Sequence, residues 1–297
     1  MNTVLSVKQR AQPASAPCPS TAFGCPRDFL NHRFVYTVVS PRARGLSVGI
    51  NMNPDRRCNF DCVYCEVDRS EPAPDTSLDV NAMIEELEHT LAIVHSGRIR
   101  ERPAYQRLPA ELAQLRHVAL SGDGEPTLCP NFLEAVEAVI HLRACGRFPF
   151  FKLVLITNAS GLGTPGVEQG LRLFTPRDEI WAKFEAGTPE YLERVNKADR
   201  PMEHTLAAIL NLARRRPVII QSLFPAIHGA GPPVSEIEAY AHRLKELKDS
   251  GAQIPLVQIY SATRPTPHSE CGHLPLKTLS NIARRVQEIA GLKAEVF

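Results

Sequence analysis

Cys58, Cys62 and Cys65 stand at C-x3-C-x2-C spacing in the run Cys58-Asn59-Phe60-Asp61-Cys62-Val63-Tyr64-Cys65. Three thiolates on one tight loop can hold three irons of a cubane [4Fe-4S] cluster, and no fourth cysteine stands nearby to take the fourth iron. Clusters that only carry electrons are usually closed by four cysteines. A three-cysteine grip leaves one iron open to a small molecule, so chemistry at the cluster is expected rather than electron storage. The simpler alternative is zinc, held by these cysteines and a remote histidine. Structural zinc loops usually pair two C-x2-C sets, and the sequence carries no second set.

The segment Ser121-Gly122-Asp123-Gly124-Glu125-Pro126-Thr127 is the second chemical signal. Gly124 and Gly122 let the backbone approach a ligand. Glu125 places a carboxylate at a strand's end, where it suits a ligand ammonium group. An ordinary glycine-rich turn is the plain reading of this segment alone. Softer candidates sit at other strand ends: Asn158, Lys183, Glu185, Gln221, Ser222 and Ser261. Lys183 and Glu185 are two apart, so on a strand they share a face. Both are expected to point inward with Phe184 packed outward, either at a cofactor or as a structural ion pair. No catalytic residue can be named from the sequence. Cys129, four residues after Glu125, is the one candidate. Cys145 is expected to be a small buried hydrophobe. Cys18 with Cys25, or His268, Cys271 and His273, could hold a second metal.

Apolar runs alternating with helical periodicity position these residues. Strands are expected at Leu46–Ile50, His117–Leu120, Leu153–Ile156, Ile180–Phe184, Val218–Ile220 and Leu256–Ile259, each followed by a helix. Thr188-Pro189-Glu190 reads as a helix start with proline at its first position. Six β-then-α units predict an α/β fold with a parallel sheet and outer helices: a partial (β/α)6 TIM-like barrel, its site at the strands' carboxyl ends. The expected division is an N-terminal extension, partly flexible, over 1–43, the barrel over 44–265, and a C-terminal extension over 266–297 ending in a helix.

The composition is ordinary for a globular protein: 43% hydrophobic and 22% charged, with a net charge of +2 that points to no polyanionic partner. Met1 to Ser20 has no apolar signal core, and no stretch approaches the ~20 apolar residues of a membrane span. A reducing cytoplasm is expected, where the eight cysteines are thiols or metal ligands. The arginines at 98, 100, 102 and 107, and Arg214-Arg215-Arg216, are either solvated surface or contacts for RNA phosphates.

With the cysteine loop and the Gly-Glu-Pro-Thr segment in place, residues 44–265 resemble the radical S-adenosylmethionine (SAM) superfamily. The resemblance implies a [4Fe-4S] cluster on Cys58, Cys62 and Cys65, with SAM chelated to the open iron. It puts Tyr64 near the adenine, Glu125 on the methionine ammonium, and Lys183 and Glu185 near the ribose or methionyl part. Gly49-Ile50-Asn51, the Lys183–Thr188 segment and the run from Ile259 to Pro265 look like a stand-alone subgroup related to wybutosine-synthesis Fe-S oxidoreductases. The implied activity is reductive SAM cleavage to a 5′-deoxyadenosyl radical. An electron donor such as flavodoxin or ferredoxin would feed it, and the radical would take hydrogen from a tRNA base, or from a peptide, protein or small molecule. A non-enzymatic Fe-S binding protein is the remaining alternative.

Overall fold

The computed structural model describes residues 29–70, 72–73, 75–264 and 266–297. The first part of the N-terminal extension, with Cys18 and Cys25, and Pro265 of the last motif lie outside the described residues. The parallel strands expected from the sequence are present as β2 (Gly45–Asn51), β3 (Leu115–Ser121), β4 (Leu153–Thr157), β5 (Glu179–Lys183), β6 (Ile219–Leu223) and β8 (Val257–Tyr260). They lie in that order in one eight-stranded sheet, curled into a half-barrel. Every residue of β2 is buried, as a strand covered on both faces must be.

Two strands complete the sheet that the sequence reading leaves unmarked. At one edge β1 (Val35–Ser40), within the stretch counted with the N-terminal extension, pairs antiparallel with β2. At the other, β10 (Ala294–Val296) pairs parallel with β8. The chain therefore runs past its expected terminal helix, α7 (Leu276–Ala290), into one more strand. α7 ends at Gly291, whose φ of 59° opens the left-handed turn into β10. A two-stranded pair, β7 (Ala226–Ile227) and β9 (Cys271–Gly272), lies outside the main sheet.

Helices cover the convex face. α1 (Val80–His95) is capped by Asp79, whose side chain accepts from Ala82 N at 3.1 Å, and buries Met83, Leu87, Leu91 and Val94. Its Glu86 accepts the backbone N–H groups of Arg33, Phe34 and Val35 at 2.8 to 3.0 Å, which fixes the entry into β1. α2 (Phe132–Ala144), α3 (Pro165–Arg172), α4 (Pro189–Asn196), α5 (Met202–Ala213) and α6 (Val234–Asp249) follow in turn. α4 starts as its sequence predicts, with Pro189 in the first turn and Thr188 Oγ1 accepting from Tyr191 N at 3.3 Å. Cys145 corrects its expected burial: it caps the carboxyl end of α2, past the apolar face, and is exposed beside His141.

The half-barrel's concave side carries a buried histidine. His117 Nε2 meets Ser47 Oγ at 2.9 Å, and the ring stands edge-on to Trp181. Burial, aided by Lys152 and Arg42, pushes its pKa down to about 3. It stays neutral in the fold but takes a proton in the unfolded chain below about pH 6.5. Its contribution to stability is thus present above pH 6.5 and is lost as pH falls toward 3, by up to about 1.4 kcal/mol per pH unit. Urea unfolding at pH 7 and pH 5 is expected to show this loss in the wild type. In His117→Gln it shrinks by about one proton's slope; an unchanged slope would show that His117 is not the titrating group.

Candidate active site

The cysteine loop leaves the carboxyl end of β2 and is held from two sides. Asp61 N and Val63 N donate to the Asn196 and Val195 carbonyls at 3.1 and 2.9 Å, and Asp199 N donates to Asn59 O at 3.2 Å. Cys65 N closes a turn on Cys62 O at 2.9 Å. From the other side, Glu125 N donates to Arg57 O at 3.0 Å. The Gly-Glu-Pro-Thr segment is thus joined to the residue before Cys58. Gly124 makes this approach feasible: a Cβ there would overlap the Arg57 carbonyl and come within 2.6 Å of Asn53 Cβ. Gly124→Ala should push the two segments apart, costing about 1–3 kcal/mol and lowering iron uptake. Urea unfolding and iron content per chain check this; wild-type values for both would show that the junction is unimportant.

Side-chain amides approach two of the thiols. Asn158 Nδ2 lies 4.0 Å from Cys58 Sγ, and Asn196 Nδ2 lies 3.4 Å from Cys62 Sγ. The Arg69 guanidinium lies near Cys65 and Cys58. Burial raises the Cys58 thiol and pushes Cys62 up to about 12, where the nearby Glu185 carboxylate adds to the effect. Without metal these groups are thiols, and a metal that binds them must displace their protons.

Asn59, between the first two cysteines, ties the loop to two further elements. Its Oδ1 accepts from Asn158 Nδ2 and Ser160 Oγ, both at 3.0 Å, and its Nδ2 donates to Asp199 Oδ1 at 2.8 Å. Neither Asn59 nor Asn196 is marked by the sequence reading. Asn59 lies inside the motif and could have been found. Asn196 is 134 residues from Cys62 and has no motif of its own.

Glu125 is 3% exposed. Its Oε1 accepts from Thr127 N (3.0 Å), Thr127 Oγ1 (2.6 Å) and Thr157 Oγ1 (2.5 Å), and its Oε2 from Asn158 N (2.7 Å). Lys183 and Glu185 face the concave side, and Phe184 stacks outward on Tyr240 of α6. The Lys183 ammonium sits 5.4 Å from the centre of the Tyr64 ring. Glu185 Oε2 accepts from the Tyr64 hydroxyl and from Asn196 Nδ2. Burial raises the Glu185 carboxyl; Lys183 is raised despite its own burial, because Tyr260, Glu185 and the thiols favour its charge.

The remaining candidates divide. Gln221 faces inward, its amide donating to Gln258 Oε1 at 3.2 Å. Ser222, next to it, must face the other way. Its hydroxyl is bonded to Phe184 O and the Tyr240 hydroxyl, 0% exposed, and away from the site. Ser261 is likewise enclosed between Phe224 O and Leu274 N. Cys129 is packed in the hydrophobic core, its thiol pushed up to about 11 by burial. The arginines at 98–107 and 214–216 lie just ahead of β3 and β6, at the amino ends of the strands and opposite the cysteines. Arg216 is occupied by the carbonyls of Leu171, Thr175 and Asp178.

Residues 52–244 match the family model described as Radical SAM superfamily. The chain belongs to the radical SAM superfamily. Membership of that superfamily supports SAM-dependent radical chemistry. The chain is 26% identical over 225 residues to a UPF0026 protein of Helicobacter pylori (strain ATCC 700392 / 26695), a match covering 73% of this chain and 64% of that protein. Among solved structures it resembles a radical SAM methyltransferase from Sphaerobacter thermophilus, with a TM-score of 0.61, 16% identity, and 89% of this chain and 68% of that one covered. It also resembles TYW1 with a lysine-pyruvate adduct bound, with a TM-score of 0.54, 13% identity, and coverage of 84% and 75%. At these identities the likeness is one of fold.

The residues of this radical SAM chain fit the family's cofactors. Three thiolates on one loop suit three corners of a cubane. Beside the loop, Glu185 Oε1, Asn53 Oδ1 and Asn196 Oδ1 are buried acceptors without a protein donor. Such atoms are costly unless something donates to them, and the hydroxyl and ammonium groups of SAM would. Among the described residues, no helix is long and apolar enough to cross a membrane.

Proposed function

We propose that Cys58, Cys62 and Cys65 hold a [4Fe-4S] cluster and that SAM binds beside it, over the carboxyl ends of β2 to β6. When bound, the cluster would pass one electron from an external reductant to SAM, and SAM, released as methionine, would supply the 5′-deoxyadenosyl radical for hydrogen abstraction. The observation that carries this reading is the Glu125–Arg57 junction. It fuses the two motifs that would meet cluster and cofactor into one rigid edge.

Each residue has a distinct part in this reading. Asn158 and Asn196 aim amide N–H groups at Cys58 and Cys62, where they stabilise thiolate charge. Glu125 orients the Asn158 backbone and keeps one acceptor position toward the cofactor ammonium. Glu185 turns its unpartnered oxygen to a cofactor hydroxyl, while Lys183 keeps a positive charge beside the loop. The curled sheet shields the reaction from water.

The substrate enters the concave side, and a small molecule or peptide suits it better than tRNA. The arginine stretches that raised RNA as a substrate stand at the opposite end of the barrel. A reductant is required, a flavodoxin or ferredoxin in this reading, working in the cytoplasm.

The test is anaerobic reconstitution with iron and sulfide, then dithionite and SAM, with products read by mass spectrometry. 5′-Deoxyadenosine is expected. Zinc retained in place of iron, or an intact cluster that never binds SAM, would overturn the assignment. RNA that co-purifies with the chain, or salt-dependent retention on tRNA, would restore the nucleic-acid substrate.

A further inference from the structure

A guanidinium inside the half-barrel lacks a counter-charge. The turn between β1 and β2 carries Pro41-Arg42-Ala43-Arg44-Gly45 and is firmly set. Ala43 N donates to Ser40 Oγ at 3.3 Å, Arg44 N to Pro41 O at 3.0 Å, and Arg44 takes a φ of 56°. Arg44 then pairs with Glu295 of β10 at 2.9 Å, so the turn reaches from one edge of the sheet to the other. Arg116 Nε holds the same turn through Arg44 O at 3.0 Å.

This geometry sends Arg42 across the concave side. Its guanidinium lies 4.0 Å from the centre of the Tyr260 ring, at the end of β8. It is close enough to His117 of β3 to disfavour that ring's proton. Its Nε is buried without a hydrogen-bond partner, and Arg42 forms no ion pair among the described residues. The neighbouring acids are engaged elsewhere. Glu179 is held by Lys152 and the Trp181 indole, Glu185 by Tyr64 and Asn196, and Glu295 by Arg44 and Lys293. The inward-facing side chains it approaches, Tyr260 and His117, are neutral, and Lys183, which also stands beside Tyr260 on this side, is itself a cation.

An unpaired buried N–H in such a place is costly. A planar fork stacked on an aromatic ring is also the arrangement that grips a carboxylate or phosphate through two parallel bonds. We propose that Arg42 binds an anionic oxygen group, carboxylate or phosphate, of the substrate at the floor of the half-barrel. The rest of that molecule then points toward the cysteine loop. The proposal names a substrate class and rests on the concave side being the substrate chamber. Stacking on Tyr260 alone would need no anion.

The test uses no cluster and no SAM, so its failure is separate from any failure of the radical reading. The chain has one tryptophan, Trp181, which is buried on the same concave side and stands edge-on to His117 at 5.3 Å. Its emission is followed in the full chain during titration with inorganic phosphate, and separately with succinate, at constant ionic strength. A saturable change is expected with at least one probe. It should weaken by about tenfold or more in Arg42→Gln and by a few-fold in Arg42→Lys, which keeps the charge but loses the fork. Saturation by phosphate alone marks a phosphorylated substrate; saturation by succinate alone marks a carboxylic acid. No saturable change with either probe, or wild-type affinity in a folded Arg42→Gln, would overturn the proposal. If Arg42→Gln loses its far-UV circular dichroism, Arg42→Lys decides: wild-type affinity overturns the proposal and weakened affinity supports it.

Discussion

Alanine at any one of Cys58, Cys62 or Cys65 is expected to leave a folded chain that holds little iron and makes no measurable 5′-deoxyadenosine. The fold should survive because the loop is carried by its backbone. Asp61, Val63 and Cys65 N–H groups are satisfied by Asn196, Val195 and Cys62 carbonyls, and none of these bonds uses a thiol. The cluster has no such redundancy. Three protein ligands are the minimum this loop offers, and the described residues place no further ligand cluster beside it. A fall in SAM cleavage beyond about a thousandfold, ~4 kcal/mol of barrier, is the expected size. Iron and sulfide per chain, the cluster's visible absorption and the cleavage product measure it together. Full iron and full cleavage in any one of the three variants would show that the cysteines are not the ligands. Cys62→Ala should be the most complete. Its thiol is the one that burial raises to about 12 and the one that Asn196 meets.

What the sequence discloses about this site follows the range over which its signals act. The cysteine spacing and the Gly-Glu-Pro-Thr segment are each local, and both land on strand ends. Period-two alternation places Lys183 and Glu185 inward and Phe184 on α6. The same rule rejects Ser222 once Gln221 is inward: two successive strand residues cannot share a face. Asn196 is silent in the sequence, because the link from α4 back to Cys62 exists only after the helix has docked. The edge strand β1 had a signal, the β-branched and aromatic run Val35-Tyr36-Thr37-Val38-Val39. It is masked by the proline-rich stretch before it, and Glu86 on α1 supplies the anchor that makes it a strand. β10 is three residues long and gives no usable periodicity. Arg42 reads as one more surface arginine until the turn that aims it across to Tyr260 is seen.

Glu125 separates the structural from the chemical use of one carboxylate. A carboxylate has about four lone-pair positions, two on each oxygen. Three donors crowd Oε1 and one, Asn158 N–H, meets Oε2. One position on Oε2 is therefore left for a ligand ammonium, and it is the only one. Glu125→Ala removes every acceptor and strands Thr127, Thr157 and Asn158 donors in a buried junction. It should cost roughly 3–5 kcal/mol in urea unfolding and disturb the start of the cysteine loop through Asn158. Glu125→Gln should behave differently. With its carbonyl at Oε1 it keeps those three bonds and loses only the one from Asn158, about 1–3 kcal/mol. Its amide nitrogen, however, opposes an ammonium instead of attracting it. SAM affinity, measured by equilibrium dialysis on the reconstituted protein, should fall about tenfold or more in Glu125→Gln, since a charge-assisted bond of about 1.5–3 kcal/mol is lost. Iron content should stay near the wild-type level. If Glu125→Gln instead binds SAM as the wild type does, the buried carboxylate is a latch between β3 and β4 alone. The ammonium would then have to be met by another acceptor at the same strand ends.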